Sequence, residues 1–304
     1  MHLVEKTIQG QTFHGKKFYN MSTVSIILIS LVVEYFYDDL KKYRKDKVIS
    51  NVFDFLKSKV KLDDYSQSRI CLFFVGFVLV IGMLIASVLN SFMPIIYLII
   101  SCIVVLFCLR TNEFNRDIEE LKIKLEFKND NIDKNLLFKL CPNLRQTRAK
   151  NNINNLVINN LFFNSIRNTF SILFFFIILG APGALAYKVL DFILYSEDFK
   201  IDQKNKQNLK KYMYFIDYIP IRLTAYCFSI VSNYDKVIDK IDNLELSNNL
   251  YSSNIEYINQ TGECVYDDSQ KESEQIIQIQ NILSRTLIAW LGLILLMSFG
   301  GIFV

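Results

Sequence analysis

Apolar residues along this chain are gathered into blocks, and the stretches between them are rich in Lys, Asp and Asn. The blocks lie near residues 21–36, 70–89, 94–109, 169–187 and 287–304, with a weaker one at 219–231. Ile70 to Leu89 carries no charge and is long enough for a hydrocarbon core of about 30 Å, which needs about 20 residues of helix. Pro94 to Leu109 follows after an uncharged break at 90–93, so the two predict a tight helical hairpin. Met21 to Val33 is short for a crossing and ends at Glu34, with Tyr35, Phe36 and Tyr37 placed to act as interfacial anchors. Between the first two blocks, Phe36, Leu40, Tyr43, Phe53, Leu56 and Val60 recur at roughly helical spacing, the pattern of a helix lying on the membrane surface. The prediction is an all-α fold: a polytopic membrane helical bundle with surface amphipathic helices.

Domain organisation follows from the same pattern. Residues 1–20 are polar and have neither the apolar core nor the cleavage site of a signal peptide. The expectation is that Met21 is the native start, that 1–20 is a non-native N-terminal extension, and that 21–304 forms one membrane domain.

Charge sets the expected orientation. Segments 38–69 and 110–167 carry nine and eleven Lys/Arg, which places both on the cytoplasmic side. Residues 233–284 hold three Lys/Arg against ten Asp/Glu and are expected outside. The six Lys/Arg of 188–218 fit this scheme poorly. In the preferred arrangement 219–231 does not cross and 188–284 is external. In the other it crosses, which puts Arg222 in the bilayer at about 2.5–3.5 kcal/mol.

Composition removes several function classes. The net charge of +4 is spread over 34 basic and 30 acidic residues, without the basic groove that nucleic-acid binding requires. Cys71, Cys102, Cys108, Cys141, Cys227 and Cys264 form no CxxC pair, and the only histidines are His2 and His14. No metal site, disulfide framework, P-loop, GxSxG or dinucleotide fingerprint is expected, and no cofactor.

Four polar residues border apolar blocks. Arg167 and Arg222 have two open readings, a forked pocket for an anionic ligand or interfacial anchors that snorkel to headgroups. Glu34 either ends its segment at the interface or pairs with a cation such as Lys188. The run Gly180-Ala-Pro-Gly183 serves helix packing or acts as a hinge, and Pro182 should kink its helix. The Asn-rich patch 151–160 suggests only compositional drift.

Three segments together resemble one family. They are Arg167-Asn-Thr-Phe-Ser-Ile-Leu-Phe-Phe-Phe leading to Gly180-Ala-Pro-Gly-Ala-Leu-Ala-Tyr187-Lys188, then Asp217-Tyr-Ile-Pro-Ile-Arg222-Leu-Thr, and Arg285-Thr-Leu-Ile-Ala-Trp290-Leu. With Glu34 at the end of the first block, this is similar to the AmpE branch of the AmpE/CobD (CbiB) membrane family. The resemblance implies a multi-pass inner-membrane protein that modulates signalling in β-lactamase induction and the peptidoglycan response. Its partners would be the lipid bilayer, an anionic cell-wall-derived ligand and an envelope-signalling protein. The family's other branch, the adenosylcobinamide-phosphate synthases, implies an alternative, as does a carrier for muropeptides. The synthase branch has a Glu-Asn-Thr-Ser-Asp run where this chain reads Phe163-Asn164-Ser165-Ile166-Arg167. Its paired aspartates are replaced here by Met213 and Tyr214. No catalytic residue is therefore assigned, and catalysis is not the favoured expectation.

Overall fold

A computed structural model describes residues 23–37, 40, 44, 49–54, 67–126, 136, 139–141, 153–196, 199, 201–247, 249–267 and 269–299. The expected extension at 1–20, and most of the amphipathic stretch between 38 and 66, lie outside these residues. The regular structure among the described residues is all helical, with no strand.

The elements are α1 (Thr23–Phe36), α2 (Gln67–Phe92), α3 (Pro94–Cys108), α4 (Thr111–Glu126) and α5 (Ile153–Ser165). A π-helical turn, Ile166–Phe170, joins α5 to α6 (Ser171–Tyr195). Then come α7 (Gln203–Val231), α8 (Tyr234–Asp242), α9 (Leu250–Glu263) and α10 (Glu272–Phe299). Four helical stretches are long and apolar enough to cross a membrane: Gln67–Phe92, Pro94–Glu126, Asn160–Tyr195 and Glu272–Ser298. Thr23–Phe36 is apolar but shorter.

Only Met93 separates α2 from α3, and Pro94 starts α3 where a missing N–H costs nothing. Both helices turn large apolar side chains outward. Phe73, Leu84 and Val88 on α2 and Ile95, Ile99 and Ile103 on α3 are all exposed. In water such a surface would be unstable, and lipid is the medium that covers it.

The third apolar stretch does not run straight. Gly180 adopts φ 68 and ψ −163, a region that L side chains rarely enter, and interrupts α6. The chain folds back there. Phe175 and Tyr187 stack with ring centroids 5.3 Å apart, whereas twelve residues of continuous helix would separate them by about 18 Å. Arg167 and Asp191 form an ion pair at 2.6 Å, across what would be about 36 Å of straight helix. Residues 153–179 therefore descend as one arm and 181–195 return as the other. The expected kink at Pro182 is thus a reversal at Gly180, two residues earlier. Pro182 has no N–H to give to Ile178, so the second arm begins afresh instead of continuing the first.

Close approach at the tip requires glycine. A side chain on Gly183 would begin 2.6 Å from the Phe175 carbonyl oxygen and 2.4 Å from Leu179 Cβ. Gly82 on α2 faces Pro182, where a Cβ would lie 2.9 Å from the proline Cβ. Ten residues of α2 continue past Gly82, about 15 Å, so the tip stops well short of the end of α2. Irregular backbone at membrane depth is tolerated when protein surrounds it, and Gly180, Ala181, Pro182 and Gly183 are all buried.

Around this hairpin, α6 packs against α2 and α3, while α7 packs against α9, α10 and α8. α9 also lies on α5, where Gly262 leaves room for the ring of Phe162. The weak block at 219–231 is the end of α7, a 29-residue helix whose start carries Lys204, Lys206, Lys210 and Lys211. That polarity keeps α7 out of the set of apolar crossings. Both expected topologies let 169–187 cross the membrane, and the fold-back removes that premise. The start of α7 meets the start of α2, with the Ser68 N–H donating to Asn205 Oδ1 at 3.1 Å and the Asp202 N–H to Gln67 Oε1 at 3.3 Å. The start of α7, with Lys204 and Lys211, therefore lies on the same side as Arg69.

Candidate functional site: an ionic clamp at the mouth of the hairpin

The mouth of the hairpin is built on helical spacing. Lys188, Asp191 and Tyr195 lie three and four residues apart and share a face of the second arm. The π-helical turn of the first arm presents Arg167 to that face. Such turns insert an extra residue and change the phase of the helix at the point of insertion.

Asp191 holds two cations. Arg167 donates from Nε to Asp191 Oδ1 at 2.6 Å, with its terminal nitrogen at the same oxygen, also 2.6 Å. Lys188 Nζ donates to Asp191 Oδ2 at 3.4 Å. Arg167 Nη1 donates to Asn164 Oδ1 at 3.1 Å, and its guanidinium lies 3.5 Å from the centroid of the Tyr195 ring. Arg167, Lys188 and Asp191 are all buried. In such surroundings an ion pair survives by geometry and extra hydrogen bonds, because desolvation offsets most of the attraction. Arg110, from the α3–α4 corner, lies within electrostatic reach of both Lys188 and Asp191. Its backbone N–H donates to the Asn168 carbonyl at 3.2 Å, and the Thr111 and Thr169 hydroxyls meet at 2.9 Å.

A second acid closes the mouth from α7. Asp217 Oδ1 accepts from Ser171 Oγ on the first arm at 3.2 Å and from Tyr187 Oη on the second at 2.9 Å. Burial pushes its carboxyl up to about 7, reinforced by Asp191 and opposed by the Tyr187 hydrogen bond and Arg167. The sign follows. A carboxyl whose pKa is higher in the folded protein than in the unfolded chain binds more protons when folded, so stability is lost as pH rises from about 4 to about 7. Thermal melting in detergent is expected to fall across that window, and Asp217→Asn, which keeps the acceptor oxygen, is expected to flatten the fall. An equal slope in both proteins would remove Asp217 as its source.

Glu34 lies elsewhere. It does not pair with Lys188 but accepts from Arg44, which also donates to Glu113 Oε1 at 2.9 Å and to the Leu106 carbonyl at 3.0 Å. The Asn112 backbone N–H reaches Glu34 Oε1 at 3.3 Å, and the Asn112 side-chain amide donates to the Glu34 carbonyl. This knot fastens α1 to the α3–α4 corner, whose other flank carries Arg110.

Arg222 forms a third centre on α7. It donates to Asn254 Oδ1 at 2.7 Å, and its guanidinium sits 3.5 Å from the Tyr218 ring centroid and 4.6 Å from that of Tyr257. Asn254 Nδ2 donates in turn to the Tyr214 carbonyl at 2.9 Å, so Arg222 ties α9 to α7. Burial raises the Tyr257 phenol to about 12.

Of the residues singled out in the sequence, the structure brings Arg167 and Lys188 together and keeps Glu34 and Arg222 apart from them. Arg167 is no interfacial anchor, since it is buried against Asp191. Asp191, Asn164 and Arg110 were not picked out by sequence reasoning. Asp191 had a usable signal as the one acid of Ser171–Tyr195, an otherwise apolar segment. Asn164 follows the Asn-rich patch, where composition concealed a specific role.

The described residues form a multi-pass helical bundle that holds a buried hairpin by an ionic clamp. The model of the regulatory signalling modulator protein AmpE matches residues 21–242. The chain belongs to the AmpE family. No curated protein and no solved structure matches it.

Proposed function

We propose that this chain is an inner-membrane modulator of cell-envelope signalling, linked to β-lactamase induction and the peptidoglycan response. The observation that carries this reading is the clamp itself. One carboxylate, Asp191, holds Arg167 and Lys188 inside the bundle, and the three residues come from both arms of the hairpin. Such a centre couples elements without needing to make or break covalent bonds. A state in which Asp191 releases one cation would let the arms separate, and an anionic cell-wall fragment or a protein partner would act by favouring one state over the other. Arg167 and Lys188 are the residues through which an anion would act. Glu34 and Arg222 hold the surrounding elements in place, and Gly180, Pro182 and Gly183 form the turn. Arg69, Lys204 and Lys211 stand together where α2 and α7 begin, and the positive-inside rule makes that the cytoplasmic face in this reading.

The test is deletion in a host with inducible β-lactamase, complemented by the wild-type chain or by Lys188→Met. Deletion is expected to change the β-lactamase response to an inducing β-lactam while corrinoid synthesis continues, and wild type but not Lys188→Met is expected to restore it. Unchanged induction would defeat the reading, and corrinoid auxotrophy would replace it with a synthase.

A further inference from the structure

A pocket of about 690 Å³ opens to the surface where the start of α2 meets the start of α7, away from the clamp. Its cations are Arg69, Lys204 and Lys211, its amides include Asn205, and Tyr212 and Phe215 form an aromatic wall. None of its lining residues is acidic. Asp202, which accepts from Asn205 Nδ2 at 2.5 Å, does not line the pocket. Among the described residues, none of the three cations is paired with a carboxylate.

The location restricts what can enter. Arg69 stands two residues into α2, and Phe73, Phe77, Val80, Leu84 and Val88 follow it at intervals of three and four residues, all exposed. An exposed apolar face of this length suits lipid, and such a crossing would set Arg69 at the depth of the headgroups with acyl chains directly below it. Tyr212 and Phe215 remain 48% and 66% exposed, and these side chains, apolar in body, suit the boundary between headgroup and hydrocarbon.

We propose that this pocket binds the phosphate headgroup of an anionic phospholipid, with its acyl chains laid along the outer face of α2. Arg69, Lys204 and Lys211 surround the phosphate, with Arg69 able to offer two parallel N–H donors. Asn205 already accepts from the Ser68 N–H, which fixes the two helix starts to each other where the three cations line one pocket. Tyr212 and Phe215 cover the glycerol region. A bound lipid would tie α7, which is too polar to cross, to the level of the headgroups.

Native mass spectrometry of the full chain in detergent tests this with phosphatidylglycerol and phosphatidylcholine of the same acyl composition added together. Wild type is expected to retain phosphatidylglycerol about tenfold or more over phosphatidylcholine. Affinity is expected to fall about fivefold for each cation removed, so R69Q/K204Q/K211Q should lose the preference. K236Q/K240Q/K271Q, with the same change of charge outside the pocket, should keep it. The single variants R69Q, K204Q and K211Q each show part of the loss, which keeps the proposal testable if the triple variant does not accumulate. Equal retention of the two lipids by wild type would overturn the proposal, as would an undiminished preference in the pocket variants. Displacement of phosphatidylglycerol by an equal concentration of glycerol phosphate would also overturn it, by showing a site for soluble phosphates.

Discussion

Replacing Asp191 by Asn is expected to lower the stability of the detergent-solubilised protein by about 3–5 kcal/mol, the usual consequence of removing one member of a buried ionic group. The size comes from what is left behind. Arg167 and Lys188 are both buried and both use the Asp191 carboxylate, so the neutral amide leaves two cations in a low-dielectric seam without the carboxylate that pairs them. Asn164 and the Tyr195 ring would still engage Arg167, but neither carries a formal charge. A triple variant, Arg167→Met, Lys188→Met and Asp191→Leu, is expected to recover most of the loss, because apolar residues of similar volume often replace a buried ionic group at little cost. Recovery of stability without recovery of signalling would separate the clamp's regulatory role from its structural one. Melting temperature and membrane accumulation are the measurements. An Asp191→Asn protein that melts with the wild type would show that the cations find other partners.

Gly183→Val is expected to be nearly as damaging, at about 3 kcal/mol, the upper end of the range for overpacking. The obstacle at this position is backbone. A Cβ would lie 2.6 Å from the Phe175 carbonyl oxygen, and relief requires the two arms to move apart. Gly183→Ala should show the same effect at reduced size. Gly76→Ala and Gly292→Ala are the controls, since a Cβ at either position meets nothing within 4 Å, and both are expected to melt with the wild type. Equal behaviour of all four variants would contradict the tight turn. Separation of the arms also predicts that the stacking of Phe175 on Tyr187 is lost in Gly183→Val, and tyrosine fluorescence can follow that change.

The hydrophobic pattern by itself determined the all-helical membrane class, the α2–α3 hairpin and the place of the last apolar helix, because a lipid-facing helix must show its composition in an unbroken run of sequence. Arg167, Lys188 and the Gly180–Gly183 run were also visible there, as polar or punctuating residues in apolar surroundings. The direction of the chain after Gly180 was not. A reversal and a kink share the same glycines and proline, and only the packing of Gly82 against Pro182 and of Phe175 against Tyr187 selects the reversal. Pairing was equally hidden. Glu34 meets Arg44, and Arg167 meets Asp191, because folding decides which charges are left in water and which must find each other. The distribution of lysines posed a puzzle that linear reading could not solve. Once the apolar stretch before residue 188 turns back, Lys204 and Lys211 stand with Arg69 at the start of α2, a placement that depends on the tertiary fold.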